Sequence, residues 1–182
     1  MPTGRTSVDR RFSSTWPAWA AFGWGVIFGL WNVYWSLGGD FGLDWLAESI
    51  QDDARAGDTT LLVVNSVGGV GKIVAGVLAV ATIAPWGQAI PRKLHLGLLY
   101  AGGVLVLLYG GANWTQLLLV KIGVVDVPQS IGAEQVSWYL FLWEPIWILG
   151  GALFILTAVA YQKTPLSQPG DQGDQVADPH VP

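Results

Sequence analysis

The chain has 182 residues, of which 52% are hydrophobic and only 12% charged, with a formal net charge of −4 and a mean hydropathy of +0.44. Soluble domains carry about a quarter charged residues, so this apolar surplus calls for a lipid solvent and predicts an integral membrane protein. There is no basic stripe on which nucleic-acid phosphates dock, and the absence of cysteine excludes disulfides, thiolate nucleophiles and sulfur-ligated metals.

Residues 1–15, with Arg5, Arg10 and Arg11, lack periodicity and read as a flexible cytoplasmic arm. The stretch from Trp16 to Leu37 holds no formal charge, enough at about 1.5 Å per residue to cross a hydrocarbon core of about 30 Å. A cleaved signal peptide also follows basic residues, but its apolar core would be shorter and poorer in tryptophan. Ala21, Gly25 and Gly29 recur every four residues, which lets a second helix approach closely, and Asn32 continues that face.

An acidic loop at 38–60 follows, in which Leu43, Leu46, Ile50 and Ala54 recur at helical spacing. A short amphipathic helix on the membrane surface is predicted there. Asp44, Glu48 and Asp52 would share one of its faces; a solvated acidic face is the simpler reading than a divalent-cation site, and no metal is assigned. The second span is placed at 66–86, its start blurred by Asn65, three glycines and Lys72, with Gly71, Ala75 and Ala79 as packing stripe.

A turn at 87–93 carries Pro91, Arg92 and Lys93. The third span covers 94–120, with Gly97 and Ala101 on one face and Tyr109, Asn113 and Gln116 towards its far end. His95, beside the basic turn, reads as a surface residue. A polar loop at 121–137 leads to the fourth span at 138–161. Residues 162–182, rich in Pro, Gln, Gly and Asp, read as a disordered cytoplasmic tail. The expected fold is thus all-α, four transmembrane helices in an antiparallel bundle. Arginines of the arm, Arg92, Lys93 and Lys163 place both termini in the cytoplasm of a multi-pass cell-membrane protein.

The most distinctive stretch is Trp143-Glu144-Pro145-Ile146-Trp147-Ile148-Leu149-Gly150-Gly151. It repeats the frame W-x-x-x-W-x-L-G-G of Trp31 to Gly39, with Asn32 in the place of Glu144. With the predicted topology Asn32, Lys72, Asn113 and Glu144 fall in the outer leaflet, where Trp35, Trp147 and Tyr109 supply aromatic walls. These seven are the candidate ligand-binding residues. Each has a plainer reading. Glu144 is either a buried carboxylate or an anion at a helix start made by Pro145. Lys72 either snorkels to the headgroups or is buried, and then pairs with Glu144 if Asn32 or Asn113 completes the hydrogen bonds. The asparagines also serve as interhelical glue, and the tryptophans as membrane anchors.

Val33-Tyr34-Trp35-Ser36-Leu37-Gly38-Gly39, followed by Phe41-Gly42-Leu43-Asp44, and Trp143-Glu144-Pro145 through Gly150-Gly151 together resemble a known family. It comprises small four-span bacterial membrane proteins, domain of unknown function 3995. The resemblance covers about residues 16–161 and implies the architecture, without an activity or a catalytic residue. Three functions stay open: a cavity binding or moving a small amphipathic or cationic ligand, an intramembrane enzyme acting on a lipid or isoprenoid through Glu144, and a structural subunit of a membrane complex. No cofactor is implied. The expected partners are the bilayer, a small-molecule or lipid ligand and further copies or other subunits, but not nucleic acid.

Overall fold

The computed structural model describes backbone positions 7–164 and side chains 15–164, and these form only helices and turns. The helices are α1 (Ser7–Ser36), α2 (Glu48–Ala56), α3 (Thr59–Ala81), α4 (Arg92–Lys121) and α5 (Gln135–Gln162). Short 3-10 turns lie at Leu43–Trp45 and Pro85–Ala89, and a π-helical turn, Tyr139–Trp143, lies within α5.

Local chemistry sets the ends. Asp58 caps α3 by accepting from the Leu61 amide at 2.8 Å, satisfying a donor the first turn leaves free. The helix therefore starts well before the predicted boundary and runs through Asn65, the glycines and Lys72. It ends at Ala81, short of Trp86, where the 3-10 turn folds Gly87 against the Ala81 carbonyl too closely for a Cβ. Lys72 consequently lies about 20 Å along α3 from its start, nearer mid-helix than the sequence suggested. At the other chain end Arg92 Nη2 donates to the carbonyls of Tyr161, Gln162 and Thr164 at 3.1, 2.8 and 2.9 Å. A guanidinium there answers the unpaired carbonyls of the last turn of α5.

α1 begins at Ser7, inside the segment expected as an arm; from Ser7 to Thr15 the sequence has neither Gly nor Pro to stop it. The terminal residues of the arm, 1–6, and the tail beyond Thr164 lie outside the described residues.

Three helices, α3, α4 and α5, are long and apolar enough to cross a membrane. Their outward faces are apolar too: Val63, Val67, Val70, Val74 and Val77 form an exposed stripe along α3. α1 is as long as α4, but its tryptophans, glycines and Asn32 leave it less apolar, and it is not among the three.

The long helices meet through glycine. A Cβ on Gly25 would strike the Lys72 carbonyl and Gly76, and one on Gly29 the Gly69 carbonyl and Ile73. The predicted small-residue face of α1 is thus its contact with α3. α4 meets α5 likewise, Gly103 against Gly151 and Ile155, Gly110 against Trp147 and Ile148. In both pairs positions rise on one helix as they fall on the other, so each pair is antiparallel. α1 joins the pairs by laying the Trp24 indole on Gly150 of α5, with its Nε1 donating to the Ile146 carbonyl at 2.9 Å.

Of the stripe expected on the second span Ala79 is buried in the core with Ala75 packed against it, but the glycines of this stripe and the next do not pack. Gly71 and Gly97 have nothing within 4 Å of a Cβ; Gly71 instead lines an open seam between α3 and α4. His95, expected at the surface, is 0% exposed. Its Nε2 lies 2.7 Å from the Leu78 carbonyl and its ring 5.2 Å from that of Tyr161. The Arg92 clamp draws the start of α4 onto the end of α5, and His95 is buried between Leu78 of α3 and Tyr161 of α5.

Candidate functional site: a capped aromatic cavity with one lysine

Pro145 shapes the site. It has no N–H, and its ring crowds the carbonyl one turn earlier. The helix answers by widening: the Glu144 amide bonds to the Tyr139 carbonyl, five residues back, as in a π turn. In that register the Leu140 carbonyl would need the missing proton of Pro145. The Trp114 indole supplies one instead, Nε1 donating to Leu140 O at 3.1 Å. α5 is therefore continuous past Pro145, and Glu144 is a buried residue, 3% exposed, rather than an anion at a helix start. Its carboxyl group is turned towards Asn113 of α4, and Oε2 has no hydrogen-bond partner.

The widened turn also aims Tyr139 and Trp143 at the first loop. The Ala47 amide donates to Tyr139 Oη at 3.2 Å, and Trp143 Nε1 donates to Trp45 O at 3.1 Å. Leu43, Leu46 and Trp143 form a buried cluster with Ile50 and Ala54 against it, as the helical spacing in this loop predicts. α2 is held to the second loop by backbone bonds from Glu48 N to Ile131 O and from Ser49 N to Ser130 O. Together the two loops roof one end of the helices.

The acidic residues of this roof are not gathered as expected. α2 starts at Glu48, so Asp44 sits in the preceding 3-10 turn, where Arg55 Nη2 pairs with it at 2.9 Å. Among the described residues no group of three His, Asp or Glu could hold a metal ion.

Beneath the roof lies a cavity of about 360 Å³. Its walls include Phe28, Trp31, Trp35, Tyr139, Trp143 and Trp147, with Asn32, Asn65 and Lys72 as polar groups. Lys72 Nζ donates to Asn32 Oδ1 at 2.7 Å and lies 4.8 Å from the centre of the Trp147 ring, a cation–π distance. Asn32 Nδ2 donates onward to Asn65 Oδ1 at 3.1 Å. A second cavity, about 260 Å³, fills the seam between α3 and α4 and shares Gly68, Lys72 and Trp147 with the first.

Of the seven predicted residues, Asn32, Lys72, Trp35, Trp147 and Tyr109 line the capped cavity. Glu144 and Asn113 line neither cavity. Lys72 and Glu144 do not form the expected ion pair: the lysine is taken by Asn32, and the carboxylate turns to α4. Sequence reasoning missed Asn65, seven residues before Lys72 on the same face of α3, and Tyr139. The first was legible from helical spacing; the second required the π turn.

These features define a class: among the described residues, an all-α protein with three membrane-length apolar helices and an aromatic cavity whose one charged lining residue is a lysine. The chain belongs to the family of proteins of unknown function DUF3995, whose model matches residues 25–154 and so spans both W-x-x-x-W-x-L-G-G copies. No match was found among curated proteins or among solved structures.

Proposed function

We propose that the protein is a four-span membrane protein, α1 crossing beside α3, α4 and α5, which binds a small amphipathic ligand with an anionic head in the capped cavity. The single observation that carries this reading is Lys72. Among the described residues it is the only formal charge lining the cavity, it sits about mid-helix, and its partners are a neutral amide and an indole face. A charge at that depth is expensive unless compensated, and an incoming carboxylate or phosphate completes it with charge-assisted hydrogen bonds. The aromatic walls suit an apolar body.

A cationic ligand would need Glu144 in the wall, and an enzyme acting through Glu144 would need it within reach of substrate. Its absence from both linings supports the anion-binding reading over these two. A purely structural subunit has no use for the cavity.

The basic residues at Arg92, Lys93 and Lys163 favour cytoplasmic termini and put the roofed end on the outer side. A reporter active only in the cytoplasm is expected to work when fused at Lys163 and to be silent at Arg55; activity at Arg55 would overturn the orientation. Binding is tested with laurate, followed by tryptophan fluorescence of protein in neutral phosphatidylcholine nanodiscs. Saturable binding that weakens about tenfold or more in Lys72→Met is expected. Equal binding by the two proteins refutes the site.

A further inference from the structure

The seam between α3 and α4 plays no part in roofing the cavity, yet it opens on the same ammonium group. Apart from Lys72 its lining is apolar, and two of its residues, Gly71 and Gly102, lie on the facing helices. Gly25, Gly29, Gly103 and Gly110, at the closed helix contacts, all sit where a Cβ would collide. Gly71 and Gly102 differ. A Cβ on either would meet nothing within 4 Å, and both are exposed. Here glycine leaves room, and α3 and α4 stay apart along the seam, while α1 closes on α3 and α4 closes on α5.

Lys72 stands at the junction. Its ammonium carries three donors; Asn32 Oδ1 takes one at 2.7 Å, and Gly68 O lies at a long 3.5 Å. An apolar channel that ends on an incompletely satisfied cation has the polarity of an acyl chain with an acidic head. The flanks of the seam are apolar and exposed, Val74 on α3 and Leu98 on α4, as expected of a slot facing lipid.

Resting on the anionic-ligand reading above, we propose that the ligand is an anionic acyl-chain lipid taken laterally from the bilayer. Its head binds Lys72 below the roof, and its chain lies in the α3–α4 seam against Trp147 and Trp24.

The test uses 9,10-dibromostearate, whose mid-chain bromines quench nearby tryptophans, titrated into protein in neutral phosphatidylcholine nanodiscs. Gly71→Leu and Gly102→Leu fill the seam, Ile50→Trp fills the capped cavity, and Lys72→Met removes the cation. Gly71→Ala and Gly102→Ala serve as folding controls. Saturable quenching in the native protein is expected to weaken about fivefold or more in each leucine variant and in Lys72→Met, and to persist in the alanine controls. Native-like quenching in both leucine variants overturns the seam as the chain's berth. If Ile50→Trp and Lys72→Met then still lose binding, the capped-cavity reading stands without it. If no variant alters the quenching, both readings fall.

Discussion

The two copies of W-x-x-x-W-x-L-G-G share a frame and not a role. In Trp31 to Gly39 the glycines end a helix: Gly38 takes φ +87° in the turn after α1, and Gly39 is covered by the Tyr34 ring. In Trp143 to Gly151 the same pair lies inside α5, Gly150 beneath the Trp24 indole and Gly151 against the Leu107 amide and Gly103 carbonyl of α4. The tryptophans of the copies converge, with Trp143 6.0 Å from Trp31 and 5.8 Å from Trp35 by ring centres. The polar residues diverge: Asn32 holds Lys72 in the cavity wall, while Glu144 is turned towards Asn113. Spacing fixes which residues share a face. What that face meets depends on whether the helix ends there or runs on.

The comparison predicts its own largest contrast. Gly151→Leu forces bulk into the α4 backbone, which cannot yield as a side chain can, and should cost about 3 kcal/mol or more. Thermal unfolding in detergent measures it, and a loss below that of Gly38→Ala would reverse the assigned roles.

The polar residues give the next contrast. Lys72→Met and Asn32→Leu remove the same charge-assisted hydrogen bond, so a double-mutant cycle should show coupling of about 1–2 kcal/mol. Lys72→Met and Glu144→Gln should instead add to within about 0.5 kcal/mol. Coupling above that in the second cycle would restore the ion pair that the sequence suggested.

The π turn separates the second copy from the first, and Trp114 reports on it. Trp114→Phe strands the Leu140 carbonyl and should cost about 1–2 kcal/mol. In a Pro145→Ala background the restored N–H competes for that carbonyl, and the loss should shrink. An unchanged loss would mean that Trp114 acts by packing alone. The smallest effect belongs to the first copy: Gly38→Ala places a Cβ at positive φ in open space and should cost about 1 kcal/mol.

Much of this was legible in the residues. Charge-free runs, the Gly25–Gly29 face and the Leu43, Leu46, Ile50, Ala54 periodicity reflect local geometry, and they placed the long helices and the roof. Five of the seven candidate site residues line one cavity because helical spacing carries that information. The errors have two sources. The start of α3 depended on the Asp58 cap, and the burial of His95 on Arg92 gripping a helix end far along the sequence; the last span runs through Pro145 as expected, because the chain widens there. The cap is local, three residues from the amide it holds, whereas the Arg92 grip is a tertiary contact whose partner is distant in sequence. The Lys72–Glu144 pairing failed similarly: opposite signs at similar depth do not say which neighbour each side chain reaches.

The central claim is that the cavity presents a positive charge, and a pair of ligands differing only in head charge tests it most directly. Laurate and dodecylamine have equal chains, so the ratio of their affinities for the native protein reports the sign of the site. That ratio should favour laurate by about tenfold or more and collapse towards unity in Lys72→Gln. Preference for dodecylamine, unchanged by that substitution, would contradict the account.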